Sequence, residues 1–196
     1  MGTPVTQIVL ASASDRRKIL LEQMGVVFDV VVVDVDETPH IQETPLLYVQ
    51  RLAELKARTV LQKIKNNLPV LGADTSVVFE NHILGKPRDA QHAVEMLMLL
   101  SGKKHHVMTS VAMINQERLL SFVSTTEVSF DEITPAQAQA YWQTSEPADK
   151  AGAYAIQGLA AMWIKEIKGS YSGVMGLPLY ETAQLLKAFD VSIWRH

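Results

Sequence analysis

Short β-branched runs alternate with capped segments of helical periodicity from one end of the chain to the other, and this alternation restricts the fold more than any other feature. Residues 7–11 (QIVLA), 26–33, 70–84 and 107–130 carry the strand-forming pattern. Between them lie helix starts with a physical signature. Thr44-Pro45 and Thr134-Pro135 each offer a capping hydroxyl followed by a proline at the first helical position, and Asp89 caps a segment running to Leu100. Ser14-Asp15 opens a shorter helix that Gly25 stops, and a last helix is expected near residues 178–189. The segment 70–84 reads as two strands around Glu80-Asn81, with Gly72-Ala73-Asp74-Thr75 interrupting the first. A strand is expected at residues 162–167, and residues 169–176 read as a loop. Strands mixed with helices predict an α/β protein built on one mixed sheet, and the length suits one domain over residues 1–196.

Composition excludes several classes. There is no cysteine, so thiolate metal sites, disulfides and a cysteine nucleophile are ruled out. Any metal must then be held by oxygen or imidazole, and carboxylates favour Mg²⁺ or Mn²⁺. The net charge of −3 and the lack of a basic block argue against a nucleic-acid polymer as partner. No apolar stretch is long enough to cross a bilayer, and residues 1–6 have no signal-peptide pattern, so a cytoplasmic protein with no membrane partner is expected. The P-loop, GxGxxG, HExxH and GxSxG motifs are all absent. Lys103-Lys104-His105-His106 reads as a solvated turn between a helix and a strand rather than a metal or phosphate patch.

Two clusters carry chemistry. Ser12-Ala13-Ser14-Asp15-Arg16-Arg17 stands where a strand hands over to a helix, so its hydroxyls, free N–H groups and arginines suit phosphate oxygens. The same residues also read as a plain N-cap with two surface arginines. Asp74 follows the apolar Val70-Leu71, and a carboxylate at the end of a buried strand needs a cation or hydrogen bonds to offset its burial. Mg²⁺, an oriented water or the turn backbone would each satisfy it. Glu37 lies in an acidic loop, Lys56 in the long helix and Lys86 in a Gly-Lys-Pro loop. The segment 149–158 is rich in small residues that let backbone approach a ligand, and Gln157 offers a donor and an acceptor to one edge of a base.

Taken together, LASASDRR (10–17), VDET (35–38), RLAELKA (51–57), LGADTSVV (71–78), LGKPRDAQHA (84–93), LSGKKHHVMTSVA (100–112), EPADKAGAYAIQG (146–158) and GSYSGVMGLPL (169–179) resemble, in order, the Maf family of nucleotide pyrophosphatases. The resemblance implies a Maf/ITPase-like mixed sheet flanked by helices, with two lobes around a central cleft. It implies hydrolysis of a nucleoside triphosphate to the monophosphate and pyrophosphate with a divalent cation, Mg²⁺ or Mn²⁺, by a homodimer. On matching positions it makes Asp74 the catalytic proton acceptor, Glu37 and Asp74 the metal ligands, and Ser12, Arg17, Lys56 and Lys86 the phosphate-binding residues. Arg16, Thr75 and Gln157 fall on the positions that track substrate choice, in a combination similar to the dTTP/UTP branch rather than the 7-methyl-GTP branch.

Two positions depart from the family pattern. Asp15 replaces a proline and puts a negative charge near the triphosphate, and Ala155 stands where glycine is common. Alanine there would matter if the position required a positive φ. Competing readings are a pyrophosphatase for modified nucleotides such as 7-methyl-GTP, a binding protein that regulates septum formation, and a nucleic-acid-binding module.

Overall fold

The computed structural model describes residues 5–194. Its scaffold is a seven-stranded mixed sheet. The first strand, β1 (Ile8–Ala11), pairs in parallel with β2 (Phe28–Val30) on one side and with β3 (Val70–Phe79) on the other. β3 then pairs antiparallel with β5 (Lys104–Ile114), β5 with β6 (Leu119–Phe130), and β6 with β7 (Ile164–Lys168). The short β4 (His82–Leu84) folds back on β3 through Glu80 and Asn81, both with positive φ.

This pairing forks the sheet. One edge of β3 is paired with β5 from Val70 to Val78. Along its other edge β1 reaches only to Gly72, and β4 begins only at Val77. Residues 73–76 therefore lie where no strand covers that edge, between two lobes. Beyond the fork, Val77, Phe79, Val107 and Phe130 pack with α3 (Ala90–Leu100) and α4 (Pro135–Gln143). On the near side the sheet has two covered faces. Leu71, Ala73, Val111 and Met113 pack under α1 (Asp15–Gln23) and α6 (Leu179–Ala188), while Val70 and Ile114 pack under α2 (Pro45–Leu61). The period of two along a strand assigns the faces: Val70, Gly72 and Asp74 look toward α2, Leu71, Ala73 and Thr75 toward α1.

The capping signals at Thr44, Asp89 and Thr134 act as expected, whereas Ser14 precedes α1 without a side-chain cap bond. Thr44 accepts from the Leu47 N–H, Asp89 from the His92 N–H, and Thr134 forms a capping box with Gln137. Such caps each contribute on the order of 1 kcal/mol. Gly25 ends the turn after α1 with a φ of 69°.

Several expectations are corrected. β3 is continuous through residues 72–75, so Asp74 lies within the strand and not at its end. Gly72 serves packing rather than a turn: a Cβ there would lie 2.3 Å from the Ala53 carbonyl oxygen, so only glycine lets α2 settle this closely on β3. β2 covers three residues of the expected 26–33, because its one partner β1 offers only Ile8, Val9 and Leu10 for pairing. The chain then leaves the sheet, and Val32 and Val33 turn into the cleft. Lys104, His105 and His106 belong to β5, with His105 buried, so the solvated turn ends at Lys103. β7 starts at Ile164 after a 3₁₀ turn (Leu159–Trp163), and the expected loop 169–176 holds a short helix, α5 (Tyr171–Met175). Ala155 has no positive φ, so alanine is unstrained there.

Candidate active site

The fork opens into a cleft of roughly 770 Å³. Its walls include Ser12, Arg16, Arg17, Glu37, Lys56, Asp74, Thr75, Lys86 and Gln157, so every site residue expected from the sequence faces one cavity.

At its floor Asp74 is 7% exposed. The close seat of α2 on Gly72 brings Lys56 over the strand, where its Nζ lies 2.7 Å from Asp74 Oδ1 and 2.7 Å from Glu37 Oε1. One ammonium thus bridges two carboxylates. Burial raises the Asp74 pKa above the ordinary carboxylate value; Lys56 and then Arg17 oppose that rise, and Glu37 adds to it. Glu37 comes from the acidic loop, which is strapped to α2. The Tyr48 hydroxyl donates to the Glu37 carbonyl at 2.9 Å. Arg51 donates to both Glu43 oxygens at 2.6 and 2.7 Å and to the Thr38 carbonyl at 3.1 Å. Burial, with the charges of Asp74 and Glu37, pushes the Tyr48 pKa up to about 12, so the phenol stays a donor.

Arg17 enters from the opposite face. Its guanidinium donates to the Gly176 carbonyl at 2.8 Å, to Ser12 Oγ at 3.1 Å and to Thr75 Oγ1 at 3.1 Å. These are neutral acceptors, and a guanidinium carries five N–H donors, so donors remain for an anion. The Thr109 hydroxyl lies 2.7 Å from the Gly173 carbonyl and 3.0 Å from Thr75 Oγ1. Its single hydrogen goes to the carbonyl, so Thr75 must donate to Thr109 while accepting from Arg17. The Thr75 hydroxyl therefore holds Arg17 with one lone pair and keeps a second for a further donor. Burial lowers the Arg17 pKa, with Asp74 opposing, yet a guanidinium remains charged.

The rim is less constrained. Arg16 is partly buried, with an Nε that has no partner among the described residues; burial lowers its pKa and the charge of Asp149 opposes that. Lys86 and Gln157 are exposed and make no hydrogen bond or ion pair through their side chains among the described residues. Asp15 is exposed and paired with Lys18 at 2.8 Å, which lowers its pKa. No group of three or more His, Cys, Asp or Glu side chains gathers around a point among the described residues.

The family described as Maf-like protein matches residues 7–189. The chain belongs to the Maf family. It is 49% identical to a dTTP/UTP pyrophosphatase of Saccharophagus degradans, across 100% of this chain and 94% of that protein. It is 50% identical to a dTTP/UTP pyrophosphatase of Colwellia psychrerythraea, across 92% of this chain and 87% of that protein. Among solved structures, the Staphylococcus aureus Ham1 protein aligns with a TM-score of 0.48 and 14% identity, over 94% of this chain and 97% of that one.

Within this Maf chain the sequence gives no role to Tyr48, Thr109 and Tyr141, which bond to cleft residues, or to Glu146, which holds Tyr141. Thr109 and Glu146 stand inside the segments that carry the family resemblance and so had a signal. Tyr48 and Tyr141 lie within expected helices and outside those segments, so no motif marks them.

Proposed function

We propose that the chain hydrolyses dTTP and UTP to the monophosphate and pyrophosphate, with Asp74 as the proton acceptor. The observation that carries this is the buried Asp74 carboxylate, held by Lys56 on one face of β3 while Arg17 stands ready for an anion on the other. The relatives' names supply the substrates.

In this reading the triphosphate lies across the fork. Arg17, Ser12, Lys56 and Lys86 bind its oxygens, and Arg16, Thr75 and Gln157 face the nucleoside end. Thr75 also holds Arg17, and its remaining lone pair is open to a donor of the nucleotide. A water attacks the α-phosphorus, its proton passes to Asp74, and the bond from that phosphorus to the bridging oxygen breaks to release pyrophosphate. A pKa raised by burial makes Asp74 a better base than an exposed carboxylate. The cations neutralise charge on the leaving group as it develops.

The donor set fits a divalent cation. Two carboxylates converge on one ammonium, and Mg²⁺ is usually bound by one or two carboxylates together with waters and substrate phosphates. Glu37 and Asp74 would hold it, and when bound it would supply further charge neutralisation for the leaving pyrophosphate. A homodimer is part of the same reading, supported by membership of the Maf family, and a cytoplasmic location is proposed with it. No helix among the described residues is long and apolar enough to cross a membrane.

Pyrophosphate release from dTTP, UTP, CTP, GTP and 7-methyl-GTP, with Mg²⁺ or Mn²⁺, tests the proposal beside Asp74→Asn. The expected result is preference for dTTP and UTP, reduced on the order of a hundredfold or more in the variant. Preference for 7-methyl-GTP would overturn the substrate, and full activity in the variant would overturn the role of Asp74.

A further inference from the structure

The turn that presents Gln157 to the cleft is pinned at both ends by one side-chain pair. At its start the Ala155 N–H donates to the Tyr141 hydroxyl at 3.2 Å. That hydroxyl in turn donates to Glu146 Oε1 at 2.6 Å. At its end the Leu159 N–H reaches the same carboxylate, 3.0 Å from Oε1 and 3.1 Å from Oε2. Between these anchors the Gly158 N–H closes onto the Ala155 carbonyl at 3.1 Å, Ile156 is buried in the core and Gln157 points outward.

The pin is tightly fitted. A Cβ on Gly158 would lie 2.2 Å from Glu146 Oε1, so the carboxylate fills the place a side chain would need. Gly158 has a φ of −108°, which any residue adopts, so its requirement is space alone. The Tyr141 ring is buried edge-on against Trp163, with centroids 5.2 Å apart. Burial, reinforced by the bond to Glu146, raises the Tyr141 pKa, so the hydroxyl keeps its proton and its place as donor. The backbone to either side of Gln157 is thereby fixed, although its own side chain has no partner among the described residues.

We propose that Tyr141 and Glu146 are positioning residues for nucleobase selection, fixing the turn 155–159 so that the Gln157 amide meets the base edge at one register. This rests on the reading that Gln157 faces the base. A donor–acceptor pair discriminates between bases only if its position is fixed, because a mobile amide can adjust to either pattern. The pair acts through the turn and does not touch the nucleotide.

The test compares kcat/KM for dTTP and UTP with that for CTP and GTP in four proteins: the wild type, Tyr141→Phe, Gln157→Ala and the double variant. Tyr141→Phe keeps the ring and its contact with Trp163. The selectivity ratio is expected to fall about fivefold or more in Tyr141→Phe, the worth of one hydrogen bond. It is expected to fall no further in the double variant than in Gln157→Ala, because both changes act on one group. Gly158→Ala, which drives the carboxylate out of its place, should give the same loss and serves where Tyr141→Phe does not fold. An unchanged ratio in Tyr141→Phe and Gly158→Ala, with Gln157→Ala still reducing it, would overturn the positioning role alone. Full additivity in the double variant would do the same. A ratio that Gln157→Ala leaves unchanged would instead overturn the reading of Gln157, and the positioning role with it.

Discussion

Replacing Lys56 by methionine isolates the electrostatics of the cleft floor, because methionine keeps much of the apolar stem and removes the charge. In the wild type the ammonium lies 2.7 Å from both Glu37 and Asp74, but the two carboxylates differ: the Glu37 side chain is 55% exposed and that of Asp74 10%. Water can take over Glu37, so its share is small. Asp74 must either stay ionised and buried or take up a proton. Protonation caps the cost. At pH 7 the solution stands about 3.2 units above the ordinary carboxylate value of 3.8; at about 1.4 kcal/mol per unit the cap is about 4.4 kcal/mol, and at pH 5 it is about 1.6 kcal/mol. Breaking a buried pair costs on the order of 3–5 kcal/mol, so the cap governs. Burial already raises the Asp74 pKa in the folded wild type, and losing Lys56 raises it further. A carboxyl with a raised folded pKa favours folding at low pH and loses that contribution as pH rises through the raised value. The penalty in Lys56→Met should therefore grow with pH, from about 1 kcal/mol at pH 5 to about 3 kcal/mol at pH 8. Urea unfolding of both proteins with a chelator present measures it. A loss that is equal at pH 5 and pH 8, or below about 1 kcal/mol at pH 8, would refute the claim that Lys56 keeps Asp74 charged.

Thr109→Val should weaken product inhibition by pyrophosphate about fivefold or more, because it removes the acceptor that fixes the Thr75 hydroxyl under Arg17; Thr109→Ser should restore it, and an unchanged inhibition constant would show that Arg17 is held without Thr109. His105 is buried and bonded to Tyr154 at 2.8 Å, and burial lowers its pKa from 6.5 to about 4. Folding therefore loses up to about 3 kcal/mol as pH falls from 6.5 toward 4, because the unfolded chain takes up the proton first. His105→Leu should flatten that acid limb, and an unchanged slope by urea unfolding would count against it.

The fold was legible where one residue's chemistry decides a boundary. Thr44-Pro45, Asp89 and Thr134-Pro135 mark helix starts because a cap acts within one turn of chain. Glu80-Asn81 marks the reversal between β3 and β4 for the same local reason. Several failures depend on partners distant in sequence. Gly72 looks like a strand breaker until Ala53 is set against it, and the end of β2 is fixed by how far β1 extends. His105 is buried because Phe130 and Tyr154 enclose it with edge-on rings, and neither is near it in the chain.

The site adds a difficulty that neighbouring residues cannot resolve. Asp74 and Thr75 are adjacent, so in a strand they point to opposite faces. Asp74 meets Lys56 from α2, and Thr75 meets Arg17 from α1. A reading that assumes a turn at this place lets both side chains serve one ligand group directly. In the proposed mechanism a continuous strand divides their work: Asp74 accepts the proton on one face, and Thr75 helps to orient a cation on the other. The division requires an edge of β3 left open between β1 and β4, since a strand laid along residues 73–76 would close the opening through which both faces reach one cavity. The fork in the sheet is therefore the structural condition for the site, and the shortness of β1 and β4 maintains it.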